Sequence, residues 1–107
     1  MTLVSQVIDT LEDARAAAAR QAWRAAFAAY GDVESDKLEA SDLERFGEAA
    51  WWSGKLDHAI ALRERAYAAY AGAGDTLGAA RMALTLNWDY DGRGSFAIAG
   101  GWRANAA

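Results

Sequence analysis

The sequence predicts an all-α fold of about six helices, either a compact bundle or a stack of antiparallel hairpins. Three observations carry that prediction. Alanine supplies about a quarter of the 107 residues and proline none, a combination that favours helix over sheet. Apolar residues recur at steps of three and four along most of the chain, the period of a single helix face. The breaks between periodic stretches are short, which sets consecutive helices side by side in opposite directions.

The first helix covers about residues 2–20, with Leu3, Val7, Leu11, Ala14 and Ala18 on one face. The second covers about 22–33 and carries Trp23, Ala26, Phe27 and Tyr30 as its apolar stripe. A polar run from Gly31 to Lys37 then breaks the pattern. A third helix opens at Ser41 with Glu44 three residues on, the spacing of a capping box that satisfies two free backbone amides. Its inner face is Leu43, Phe46, Gly47 and Ala50, and Ser53-Gly54-Lys55 closes it. The fourth, about 56–71, repeats Ala59, Leu62, Ala66 and Tyr70 and ends at Gly72-Ala73-Gly74, since glycine suits the position past a helix C-terminus. Asp75 is the N-cap expected for the fifth, which runs to about residue 90 with Ala79, Ala83, Leu86 and Tyr90 inward. Asp91-Gly92-Arg93-Gly94 is a turn, and a last helix runs from Ser95 to the end at Ala107.

Composition narrows the function classes. The chain is 53% hydrophobic and 24% charged, with five Trp, four Tyr and three Phe, which argues for one folded domain rather than disorder. It has no cysteine and one histidine, His58, so disulfides, thiolate metal sites, the usual zinc sets and a Ser-His-Asp triad are all disfavoured. Fifteen acidic against eleven basic residues give a net charge of −4, the wrong sign for a nucleic-acid footprint. Charges interrupt the apolar stretches well short of the roughly 18–20 residues a membrane span needs. Residues 1–10 lack a basic leader and carry Asp9, so they do not read as a signal peptide. These features together point to the cytoplasm.

Laying the segments over one another exposes a recurring phrase. In the middle unit it is Leu43-x-x-Phe46-Gly47-x-x-Ala50-Trp51-Trp52-Ser53-Gly54-Lys55-Leu56-x-x-Ala59-Ile60, followed by Ala66. The phrase resembles the tetratricopeptide repeat, in which a small residue is needed where two helices cross closely. The first unit keeps the second-helix pattern in Trp23, Ala26, Phe27 and Tyr30, but has Asp13-Ala14 where Leu-Gly is usual. The third offers Ala83, Leu86, Tyr90, Phe96 and Ala99, with Asn87 in place of the glycine. The crossing alanines Ala26, Ala59 and Ala99 stand 33 and 40 residues apart, the first interval close to the usual period of about 34. The run Glu64-x-Ala66-Tyr67-x-x-Tyr70-x-x-x-Gly74-Asp75-x-x-Gly78-Ala79-Ala80 is similar to the helical repeat regions of bacterial LuxR-type transcriptional regulators. The resemblance implies units at about 3–33, 40–72 and 75–107, stacked as a short right-handed superhelix.

It also implies where a partner would bind. In tetratricopeptide stacks the first helix of each pair lines a concave groove. Carried over residue by residue, that face holds Arg15 in the first unit, Glu44, Glu48 and Trp51 in the second, and Arg81, Leu84, Trp88 and Asp91 in the third. Aromatics and arginine dominate binding hot spots, although Trp51 and Trp88 would equally suit helix packing. Adjacent helical residues lie about 100° apart, so Trp51 and Trp52 cannot both enter one small core, and one is expected at an interface or in the groove.

Other constellations read as structural. The segment from Asp89 to Phe96 mimics half of a calcium loop, but Arg93 occupies a ligand position and Gly100 stands where a bidentate Glu is required. His58 follows Asp57 at a helix start and reads as a solvated or packing residue, while Asp32, Glu34, Asp36 and Glu39 read as a solvated face. The expectation is therefore a non-catalytic protein–protein or peptide interaction module, part of or related to a bacterial regulatory protein, with no cofactor and no metal. The alternative is a small-molecule-sensing helical domain in which Trp51 and Trp88 wall an apolar pocket. No polar capping helix follows the third unit. The chain is thus expected to be a piece of a longer regulator, or to cover its last repeat with a second copy of itself.

Overall fold

Alanine-rich periodicity becomes six α-helices in a computed structural model that describes residues 3–92, 94 and 96–106, with side chains for 9–92, 94 and 98–106. They are α1 (Leu3–Ala19), α2 (Trp23–Gly31), α3 (Ala40–Trp52), α4 (Leu56–Gly72), α5 (Thr76–Gly92) and α6 (Phe96–Ala106). A single 3-10 turn, Ser35–Lys37, interrupts the long α2–α3 connection, and no strand occurs among the described residues. Each helix packs on the next, from α1–α2 through α5–α6, and α1 also reaches α3. The expected inward side chains of Leu3 and Val7, and the turn residues Arg93 and Ser95, lie outside the described residues.

Three turns share one hydrogen-bond pattern. The backbone N–H of Ala22 donates to Ala17 (2.8 Å), that of Lys55 to Ala50 (2.8 Å) and that of Asp75 to Tyr70 (2.9 Å). Each bond spans five residues and satisfies a carbonyl the helix leaves free, as in a Schellman closure. The pattern requires a left-handed residue just before the donor. Gly54 (φ 77°) and Gly74 (φ 76°) supply it in two turns, and Gln21 (φ 59°) supplies it in the first.

The N-termini divide between agreement and correction. Asp75 caps α5 as expected, its Oδ1 accepting from the Gly78 N–H at 2.9 Å. The α3 capping box forms two residues earlier than expected. It pairs Glu39 with Asp42, whose Oδ2 accepts the Glu39 N–H at 3.1 Å, in place of Ser41 with Glu44. Glu44 is drawn away by tertiary partners on α4 and α5, described below.

Small residues set the helix spacing. Ala14, Ala17, Ala18, Ala26, Tyr30 and Ala49 form a core between α1, α2 and α3, and Leu43, Ala50, Ala59, Leu62, Ala66, Tyr70 and Met82 form one between α3, α4 and α5. Ala26, Ala59 and Ala99, the expected crossing points, are all 0% exposed. At the α3–α4 crossing, a Cβ on Gly47 would lie 3.0 Å from the Arg63 Cγ and 3.5 Å from the Ala59 carbonyl. Larger residues at such points would force the helices apart. Phe27, Tyr30 and Phe46 knit α2 to α3, with Phe46 5.6 Å from Phe27 and 5.5 Å from Tyr30 between ring centroids.

Candidate functional site, a cleft between the third and fifth helices

Two helix faces build the site. On α3, Glu44, Glu48 and Trp51 follow one another at steps of four and three. On α5, Leu77, Arg81, Leu84 and Trp88 do the same at steps of four, three and four. Such spacing aligns side chains on one face of a helix. Between these faces lies an open cleft of about 350 Å³ walled by Glu44, Glu48, Trp51 and Trp52 on one side and by Arg81, Met82 and Thr85 on the other. Arg63 of α4 and Asp89 of α5 complete its lining. Beside it, Arg81, Leu84, Thr85 and Trp88 frame a more open, largely apolar depression.

Charge pairing holds the walls. Arg81 donates from Nε to Glu44 Oε2 (2.7 Å) and from Nη2 to Oε1 (2.8 Å), while the Tyr70 hydroxyl donates to Oε1 at 2.6 Å. The Arg81 guanidinium also sits 5.5 Å from the centre of the Tyr70 ring, within cation–π range. Burial opposes ionisation of Glu44, but the hydrogen bonds from Arg81 and Tyr70 outweigh it and hold its pKa below the ordinary value. Arg81 is correspondingly held more firmly in its charged form, chiefly by Glu44. At the floor, Arg63 Nη1 reaches both Asp89 oxygens (2.9 and 2.8 Å), with both residues buried. By contrast, the Arg45–Glu48 pair is longer (3.3 Å) and exposed.

The structure brings together four of the eight expected groove residues in the cleft, namely Glu44, Glu48, Trp51 and Arg81, and puts Leu84 and Trp88 in the adjoining depression. Trp51 is 43% exposed, Trp52 59% and Trp88 75%. Both members of the tandem are thus at the surface, their rings edge to face at 4.8 Å. Arg15 lies elsewhere. It donates from Nε to Asp42 Oδ1 and from Nη2 to Oδ2, both at 2.8 Å, beside a separate hollow with Tyr30 and Arg45. Burial, then the neighbouring Asp42, pushes the Tyr30 hydroxyl up to about 12. Asp91 lines neither depression, and its carboxylate stands 3.8 Å from Arg103 of α6.

Sequence reasoning misses Trp52, Arg63, Met82, Thr85 and Asp89 as lining residues. Arg63 does leave a signal: it neighbours Leu62 on the inward face of α4, and a charge there demands a partner. His58 is exposed and meets Phe27 edge-on at 6.0 Å. Asp32, Glu34, Asp36 and Glu39 are exposed. Among the described residues no three His, Asp or Glu side chains group to hold a metal ion, and no helix is long and apolar enough to cross a membrane. The chain matches no protein-family model, no curated protein and no solved structure.

Proposed function

We propose that this chain is a non-catalytic, tetratricopeptide-like interaction module of a cytoplasmic bacterial regulatory protein, and that it holds a peptide segment of a partner in the α3–α5 cleft. The observation that supports this most is the exposure of Trp51, Trp52, Leu84 and Trp88 around a cleft whose walls are already fixed by the Glu44–Arg81 pair. Exposed aromatics on a rigid frame lose little entropy on binding, which is what recognition surfaces require. The small-molecule reading has less support. Trp51 and Trp88 line different depressions, and both depressions are open to solvent, whereas small apolar ligands favour enclosed sites.

Selection of random peptides displayed on phage against the intact chain tests the proposal. Trp51→Ala, Arg81→Ala and Trp88→Ala variants serve as counter-targets, with helicity checked by circular dichroism. Peptides that lose binding to these variants while helicity persists support the cleft. Enrichment of peptides that all three variants retain, or no enrichment at all, refutes it.

A further inference from the structure

The charges in the cleft are not equally free. Arg81 is committed to Glu44 through two bonds and Arg63 to both oxygens of Asp89. Glu44, Asp89 and these two arginines therefore neutralise one another in place. Glu48 is left over: among the lining residues three carboxylates face two guanidiniums, and Glu48 pairs only with Arg45, which does not line the cleft. Glu48 meets Arg45 at 3.3 Å, an exposed contact within one turn of α3, of the kind that contributes little and yields to competition. Trp51 and Trp52 stand in the same cleft, about one turn from Glu48, and present two rings near right angles.

A carboxylate beside tryptophan faces is the chemistry that receives a cationic side chain, through charge and through the ring quadrupole together. The neighbouring depression of Leu84 and Trp88 is apolar and suits an uncharged side chain. From this charge complementarity we infer that the cleft is specific for a peptide carrying an arginine or lysine next to an apolar residue. The cation enters against Glu48, Trp51 and Trp52, and the apolar side chain covers Leu84 and Trp88. This specificity rests on the peptide-binding reading above. An acidic peptide is disfavoured on the same grounds, because it would meet Glu48 while both cleft guanidiniums are already committed.

Calorimetry with synthetic peptides separates the two levels. The probes are short blocked peptides with an arginine–leucine pair in a glycine–serine background, their counterparts with neutral citrulline or with glutamate at the arginine position, and the peptides enriched by phage selection. The arginine peptide is expected to bind about tenfold more tightly than the citrulline peptide. Glu48→Gln is expected to remove most of that preference, by weakening the arginine peptide towards the affinity of the citrulline peptide, and to preserve helicity. Equal affinities for arginine and citrulline, or a preference for glutamate, would overturn the specificity while leaving a peptide cleft intact. So would an arginine preference that survives in Glu48→Gln. If neither the synthetic nor the selected peptides bind, the cleft reading and the specificity fall together.

Discussion

Glu44 of α3 and Arg81 of α5 join the two walls of the cleft through a two-bond ion pair, with Tyr70 of α4 donating to the same carboxylate. Three helices thus converge on one acidic side chain. Its pKa is lowered in the fold despite burial, and so is that of Asp42, where burial is outweighed chiefly by the hydrogen bond from Arg15.

A depressed carboxylate pKa means that the unfolded chain binds more protons than the folded one in the acid range. Stability is then fully present above the ordinary carboxylate values and is lost as pH falls through the folded ones. The melting temperature should hold steady near neutrality and drop as pH falls below about 4.3. Glu44→Gln should flatten part of that drop, since it removes one linked proton. Thermal melts by circular dichroism across the acid range check this, and an unchanged acid slope in the variant would contradict it.

Arg63 and Asp89 form the buried pair at the cleft floor. Removing one partner leaves an uncompensated buried charge, so Asp89→Ala should lower unfolding free energy by about 3–5 kcal/mol. Replacing both with apolar residues, Arg63→Met with Asp89→Leu, should cost far less than the single change. Urea denaturation of the wild type, Arg63→Met, Asp89→Leu and the double variant measures the coupling. A double-variant loss equal to the sum of the two single losses would show that the pair is not coupled.

Gly78 allows α5 to pass over Tyr70. A Cβ there would come within 2.4 Å of the ring, which cannot swing away without giving up its bond to Glu44. Alanine normally gains up to about 1 kcal/mol over glycine in a helix, whereas overpacking costs about 1–3 kcal/mol. Gly78→Ala should therefore destabilise the chain despite its better propensity. A raised melting temperature would contradict that ordering.

Gln21 stands at a left-handed φ of 59° where the matching turns use Gly54 and Gly74. Such a conformation costs a non-glycine residue about 1–2 kcal/mol. Gln21→Gly should raise stability by about 1 kcal/mol, the strain relieved less the added freedom of the unfolded chain. Denaturant midpoints measured side by side decide it, and a loss of stability would show that the Gln21 side chain matters more than its backbone.

Much of the fold is legible in the sequence, because helix periodicity reports each inward face directly. Ala26, Ala59 and Ala99 stand out as small residues where bulk would be expected, and they are fully buried. The α3 cap is misplaced by the sequence, whose signature picks Ser41 with Glu44 where the fold pairs Glu39 with Asp42. The choice is made by Arg15, Tyr70 and Arg81, which lie 26 to 37 residues away from the carboxylates they bind. Single-helix periodicity cannot see such partners. The repeat resemblance, carried over position by position, likewise sets Arg15 and Asp91 in the groove and leaves out Arg63 and Asp89, and periodicity passes over the turn at Gln21, where no glycine marks the bend.

A peptide seated in the α3–α5 cleft would report itself through the indole N–H signals of the five tryptophans in two-dimensional NMR. Titration of the intact chain with a selected arginine-containing peptide should shift the signals of Trp51, Trp52 and Trp88. The signals of Trp23 on α2 and of Trp102, which packs against Tyr67 at 5.0 Å, should stay in place. Shifts confined to Trp23 or Trp102 would place the peptide elsewhere and contradict a binding site between α3 and α5.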